Sequence, residues 1–247
     1  ALKDGDVVRF DYILHGDGVA KPVDTSMEPT ARQHGIHREG KRYRPLTVTL
    51  GAEQVLPALE RHMREKATVG KTFQVELDAK EGYGERDPKK IKDVPMAQFR
   101  SQKVAPEPGM ELNLGGQRGV VTRVAGGRVR VDLNHDLAGK RLRYEYTLRE
   151  VLTDEKAKIQ AVLDNLFPQG GTKFETGKDA VTLDVPDAAK FDQNWMMAKF
   201  RVVAELRAAT GKAKAIRLVE NFPVMPDPPA EEPGHEGHGH GPGGHKH

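Results

Sequence analysis

Residues 46–60 read Leu46-Thr47-Val48-Thr49-Leu50-Gly51-Ala52-Glu53-Gln54-Val55-Leu56-Pro57-Ala58-Leu59-Glu60. The first five alternate apolar residues with threonine, the period of a strand with one buried face. The run from Leu56 to Glu65 is helix-like, with Leu56, Leu59, Arg61 and Met63 unevenly spaced. On either side the chain is strand-rich. Residues 6–14 alternate around Val7, Arg9, Asp11 and Ile13, and residues 73–77 form a clean period-two strand. The first half of the chain therefore reads as β-rich with one short helix-like stretch. Between Thr25 and Arg44 lies a long polar connection carrying Arg32, Arg38, Lys41, Arg42 and Arg44. A connection of that length in a compact domain is functional or flexible.

Farther along, Met110–Leu114, Gly119–Val124 and Arg128–Leu133 read as short strands, the last two joined by a tight turn at Ala125-Gly126-Gly127. Leu142–Val151 alternates again. After Asp154 the period lengthens. Ile159, Val162, Leu163 and Leu166 mark a helix with Thr153 or Asp154 as its N-cap, ending near Pro168 and Gly170. Two strand candidates near 172–185, a helix from Asp192 to Ala209 stopped by Gly211, and a strand from Ile216 to Phe222 complete a separate α+β unit. From Asp227 to His247 no period remains, only Pro, Gly, Glu and His in bulk. That composition reads as a disordered tail.

Composition narrows the chemistry. The chain has 247 residues, no cysteine, 37% hydrophobic and 30% charged residues, and a net charge of +3 from 39 basic and 36 acidic side chains. Disulfides, thiol catalysis and cysteine-ligated metals are excluded. No apolar run reaches the roughly 18–20 residues that span a bilayer, so no membrane partner is expected. The charged start Lys3-Asp4-Gly5-Asp6 predicts a cytoplasmic protein. Near-balanced charge weighs against nucleic acid as the main partner, for which the Arg-rich stretch from Arg32 to Arg44 is the sole argument.

Five segments in order carry a family resemblance: Lys3–Val8 leading to Tyr12, with Val23-Asp24-Thr25-Ser26; Gly51–Glu60; Val69-Gly70; Gly82-Tyr83-Gly84-Glu85; and Asp132–Lys140. Across about 140 residues the sequence resembles an FKBP-type peptidyl-prolyl cis-trans isomerase of the SlyD-like, long archaeal type with an insert-in-flap chaperone domain. The resemblance implies an α+β fold: an FKBP-like antiparallel sheet on a short helix (1–90 plus 133–153), an inserted β-rich flap domain (91–132), a C-terminal α+β domain (154–226) and a His-rich tail (227–247). The sequence departs from the family pattern at Ala58 (usually Gly), Asp136 (usually Pro), Leu59 (an aromatic floor in many members) and Leu46 (a pocket-wall Phe).

The implied reaction is rotation about X–Pro bonds, whose barrier of ~18–20 kcal/mol reflects amide resonance. It needs no nucleophile, base or cofactor. An apolar, water-poor cleft that favours the twisted amide over the planar one is sufficient. By resemblance, Tyr12, Leu46, Val55, Leu56, Leu59 and Tyr144 form the proline pocket, with Leu137 and Ala138 at its rim. Tyr83 would donate to a substrate carbonyl, and Asp24 would either orient Tyr12 or face the rotating carbonyl. On pattern alone the aliphatic and tyrosine residues read equally well as core.

In the insert, Met96, Phe99 and Met110, with Val104 and Leu112 nearby, predict a chaperone surface for unfolded clients, or else the insert's own core. In the tail, His235, His238, His240, His245 and His247 on a Gly-rich chain suit nickel, copper or zinc. In the C-terminal helix, Trp195, Ala198, Val202, Leu206 and Ala209 form one apolar stripe with Met196, Phe200 and Val203 beside it, which predicts self-association. The expected partners are therefore unfolded or proline-containing polypeptides and a second copy of the chain. Two rival readings stand beside the isomerase: a holdase without turnover, and a nickel or copper metallochaperone.

Overall fold

The computed structural model describes residues 2–211 and 214–222. In chain order the first elements are β1 (Val7–Gly16), β2 (Asp24–Thr25), α1 (Glu28–Gln33), β3 (Leu46–Thr49), α2 (Pro57–Lys66) and β4 (Thr72–Leu77). A second group follows: β5 (Ile91–Pro95), α3 (Met96–Ser101), β6 (Glu111–Leu114), β7 (Gln117–Ala125) and β8 (Arg128–Asp132). The chain then returns as β9 (Leu142–Leu152) and continues through α4 (Glu155–Leu166), β10 (Lys173–Thr176), β11 (Ala180–Asp184), α5 (Asp187–Lys190), α6 (Trp195–Thr210) and β12 (Ala215–Val219). No helix among the described residues is long and apolar enough to cross a membrane.

Among the described residues the result is a mixed α and β arrangement with three sheets. The first runs β2-β1-β9-β4, all antiparallel, with β3 paired to the N-terminal half of β1. Register puts Phe10 opposite Leu148, Tyr12 opposite Tyr146 and Leu14 opposite Tyr144, and puts Phe73 and Val75 of β4 opposite Tyr146 and Tyr144. Side chains alternate along a strand, so these groups share one face, and α2 covers it with Leu59 and Met63, both buried. Pro57 opens α2, where its missing N–H costs nothing. Buried Glu60 accepts the Gly51 N–H at 2.6 Å and meets Arg64 at 3.1 Å, which ties the helix to the turn before it.

The alternation of β1 has two destinations. Val8, Phe10 and Leu14 enter the core under α2, whereas Val7 enters a second core with Leu152, Ile159, Leu163, Leu183 and Leu206. That second core is closed by α4 and α6 against the sheet β10-β11-β12, whose last pair is parallel. Asp154 caps α4 by accepting the Ala157 N–H at 3.0 Å. The third sheet, β5-β8-β7-β6, is antiparallel and encloses a small core of Val94, Phe99, Val121, Val129 and Val131.

Two stretches differ from the sequence expectation. The 25–44 connection contains α1, on which Ala31 is buried, and β2, pinned where the Thr25 hydroxyl donates to Tyr12 O at 2.7 Å. The insert also has a helix and a fourth strand that alternation did not mark, because Ile91–Pro95 has no clean period and α3 is only six residues long.

Candidate functional site

A cleft of about 530 Å³ lies between the sheet face and the N-terminus of α2. Phe10, Tyr12 and Leu14 of β1 and Tyr144 of β9 form its sheet side, and Val55, Leu56, Pro57 and Leu59 its helix side. Leu46, Glu53, Gln54, Asp24 and Tyr83 complete the wall. The aromatic rings are mutually braced, with Phe10–Tyr12 and Tyr12–Tyr144 centroids each 6.1 Å apart.

Eight of the residues singled out from the sequence therefore meet at one opening: Tyr12, Asp24, Leu46, Val55, Leu56, Leu59, Tyr83 and Tyr144. Leu137 and Ala138 do not line it. Both are buried, and Leu137 instead faces Gly16, where an added Cβ would sit 3.3 Å from its Cδ2. They belong to the turn that fixes the return segment, where Ala138 N–H donates to His135 O and Leu137 N–H to His135 Nδ1. Phe10, Leu14, Glu53, Gln54 and Pro57 were missed. The first two follow from register with Tyr12, since i−2 and i+2 share its face.

Two carboxylates line the cleft, Asp24 and Glu53, and Asp24 is held by partners of its own. Tyr12 OH donates to Asp24 Oδ2 at 2.8 Å, the Thr25 N–H reaches Asp24 Oδ1 at 2.9 Å, and Lys41 pairs with that same oxygen while donating to Thr25 O at 2.9 Å. Burial pulls the Asp24 carboxyl upward, but the hydrogen bonds from Lys41 and Tyr12 and the charge of Lys41 outweigh it and hold the group below the ordinary carboxylate value. Both carboxylate oxygens of Asp24 are engaged, and Oδ2 fixes the position of the Tyr12 hydroxyl. Lys41 is the functional neighbour that sequence reading left unassigned in the Arg/Lys-rich connection.

Burial first, then Asp24, drives the Tyr12 phenol far above its ordinary value. Burial and the neighbouring Tyr83 do the same to Tyr144. Burial pushes Tyr146, whose hydroxyl lies 2.9 Å from His62 Nδ1, up to about 12. All three stay protonated at neutral pH, so Tyr12 and Tyr144 give the wall neutral hydroxyls beside its aliphatic surface, whereas Tyr146 is buried and does not line it. Tyr83 is 38% exposed and stacked on His135, with ring centroids 4.2 Å apart. Gly84, at φ +81°, makes the turn that presents Tyr83, a backbone conformation that suits glycine.

At the departures from the family pattern, Leu59 forms the cleft floor at 1% exposure, Leu46 stands half open at its edge, Ala58 is buried beneath it and Asp136 pairs with Arg118 at 3.0 Å. In the insert, Phe99 is a correction. At 7% exposure it closes the small core with four valines and offers no surface to a client. Met96 is half-buried against that core and Met110 is exposed. Among the described residues no group of three or more His, Asp or Glu is placed to hold a metal ion. The tail histidines His235, His238, His240, His245 and His247 lie outside the described residues.

Known proteins match in the same three parts. Residues 1–100 match the family described as FKBP-type peptidyl-prolyl cis-trans isomerase, residues 92–137 the FKBP26, IF domain, and residues 155–223 the FKBP26 C-terminal family. A short-type peptidyl-prolyl cis-trans isomerase of Methanocaldococcus jannaschii is 32% identical over 150 residues, covering 61% of this chain and 94% of the relative. All of the cleft lining except Tyr144 falls within residues 1–100, and the chain belongs to the FKBP-type peptidyl-prolyl cis-trans isomerases.

Proposed function

We propose that the chain turns X–Pro bonds of unfolded and partly folded proteins in the Tyr12–Leu59–Tyr144 cleft, and that its insert holds those clients near it. The observation that carries this reading is the cleft itself, lined mostly by aliphatic and aromatic side chains of the sheet and of the α2 N-terminus and furnished with tyrosine hydroxyls that stay neutral. A twisted amide loses conjugation and carbonyl charge, so a dry apolar wall lowers its energy relative to the planar form. Lowering the barrier by ~4 kcal/mol accelerates rotation about a thousandfold. Leu59 and Leu56 grip the prolyl ring, Tyr83 donates to a substrate carbonyl, and Asp24 holds Tyr12 in place.

The chaperone part rests on Met110, 37% exposed, and Met96 at the edge of the insert core. A client bound there is presented to the cleft at raised effective concentration. The histidine tail is proposed to take nickel, copper or zinc, and titration of the full chain with nickel, before and after changing the five tail histidines to Gln, tests that. The isomerase reading is tested with a short proline peptide and a slow-refolding protein. Tyr83→Ala should slow both, and Met96→Ser with Met110→Ser should slow the protein alone. Equal rates for Tyr83→Ala and the parent chain on the peptide would overturn the assigned role of Tyr83.

A further inference from the structure

A second cavity, of about 650 Å³, adjoins the cleft and shares its wall of Tyr12, Leu46, Glu53 and Gln54. Its outer side comes from two places distant in sequence: Lys41, Arg42 and Arg44 of the 25–44 connection, and Asn165, Arg201 and Glu205 of the C-terminal domain. Four cations thus face two carboxylates. Arg201 and Glu205 neutralise each other at 2.6 Å, and Lys41 serves Asp24.

The remaining two arginines are held differently. Arg42 Nη1 donates to Pro168 O at 2.6 Å, and Arg44 Nη2 reaches Asp164 O at 3.4 Å and Asn165 Oδ1 at 3.2 Å. Among the described residues neither forms an ion pair. Neutral oxygens fix both guanidinium groups without cancelling their charge, and most of the five N–H donors on each are left over. Glu53 is the one carboxylate of the lining with no cation of its own among the described residues. Preset, uncancelled arginines beside a peptide cleft suit carboxylates, which they can take through paired N–H bonds.

We propose that this cavity is a flanking subsite that selects acidic residues on one side of the client proline. The proposal rests on the prolyl cleft described above: an extended client with its proline there delivers its neighbouring residues to the shared wall. Only the flank that runs along this shared wall would meet the two arginines. Client choice would then depend on charge next to the proline, and the Arg-rich connection would serve specificity rather than nucleic acid.

The test uses the full chain and four peptides that share one X–Pro core, carrying two Glu before it, two Glu after it, two Gln, or two Lys. At low ionic strength one Glu placement should exceed the Gln peptide in kcat/KM by roughly two- to tenfold, as expected for two partly exposed ion pairs. The other placement should match Gln, and Lys in the favoured placement should fall below it. The readout is the Glu-to-Gln ratio within each chain, so a general loss of fold does not imitate the result. The pair R42Q and R44Q should bring the ratio to one, while R42K and R44K should retain most of it. Equal rates for Glu and Gln, equal gains at both placements, or a gain that survives R42Q and R44Q would each overturn the proposal. A chain that turns over none of the peptides would instead overturn the cleft reading beneath it.

Discussion

Tyr83 lies flat on His135, their ring planes 3° apart and centroids separated by 4.2 Å. The two come from opposite sides of the insert: Tyr83 from the loop before it, and His135 from the segment that brings the chain back. Gly139 N–H donates to Gly84 O at 2.7 Å in the same place, so the loop that offers Tyr83 to the cleft is seated on the return segment. Such aromatic pairs contribute ~0.5–1.5 kcal/mol. His135→Ala should therefore lower kcat/KM on a short proline peptide by roughly two- to tenfold without touching the cleft wall. In a double-mutant cycle, adding Tyr83→Ala should cost little more than Tyr83→Ala alone. Fully additive losses would show that the stack does not position Tyr83.

The Asp24–Lys41 pair makes a prediction about pH. Because the folded-state value of Asp24 lies below the ordinary carboxylate value, its contribution is present above that ordinary value and is lost as pH falls through the folded one. The peptide rate should stay level down to about pH 4 and decline only below it. Lys41→Met removes the hydrogen bond and charge that offset burial, so the acid limb should move toward neutral pH. A pH profile of kcat/KM reads this directly, and superimposable limbs for the two chains would refute it.

Two histidines bear on stability with the opposite group chemistry. Burial holds His62 below its ordinary 6.5, and burial followed by Arg143 does the same for His15. Here the unfolded chain takes up protons first. The stability they supply is complete above about 6.5 and drains away as pH drops toward the folded values. The urea midpoint should fall between pH 7.5 and 5.5, and His62→Gln, which keeps an acceptor for the Tyr146 hydroxyl, should shrink that fall.

Much of this site was legible because strands report faces. The alternation of β9 put Tyr144 on an inward face, and the family resemblance carried by the spaced segments named Tyr12, Asp24, Leu56, Leu59, Tyr83 and Tyr144 as pocket residues. What stayed hidden depends on contacts far apart in sequence. Nothing local shows that Lys41 reaches Asp24, or that Val7 leaves the sheet core for a different one. Leu137 and Ala138 are rim residues by family resemblance, yet the turn around His135 leaves them buried. Phe99 and Met110 are alike in composition, and only the closure of the β5–β8 sheet separates core from surface.

That separation is measurable. Phe99→Ala should cost about 3–5 kcal/mol where it is fully felt, more than a core of five buried residues can absorb. Amide exchange should quicken throughout β5, β7 and β8 while β1 and β9 remain protected. Met110→Ala should leave exchange unchanged and slow the assisted refolding of a client protein. If Met110→Ala has no effect on client refolding, the insert does not use that face to hold chains.

The C-terminal helix α6 is apolar on both sides, as an interior or shared helix is. Trp195, Val202, Leu206 and Ala209 are buried, and Trp195 Nε1 donates to Glu220 at 2.8 Å. Met196, Met197 and Phe200 point outward, Phe200 at 72% exposure, with Phe191 and Phe222 also exposed on the same domain. Exposed apolar clusters of this kind mark contact surfaces more often than bare ones. A second copy of the chain is the proposed occupant, so light scattering should give the mass of two chains, and Met197→Lys with Phe200→Glu should halve it while leaving peptide isomerisation intact. A single-chain mass for the parent at tens of micromolar would remove self-association through this helix.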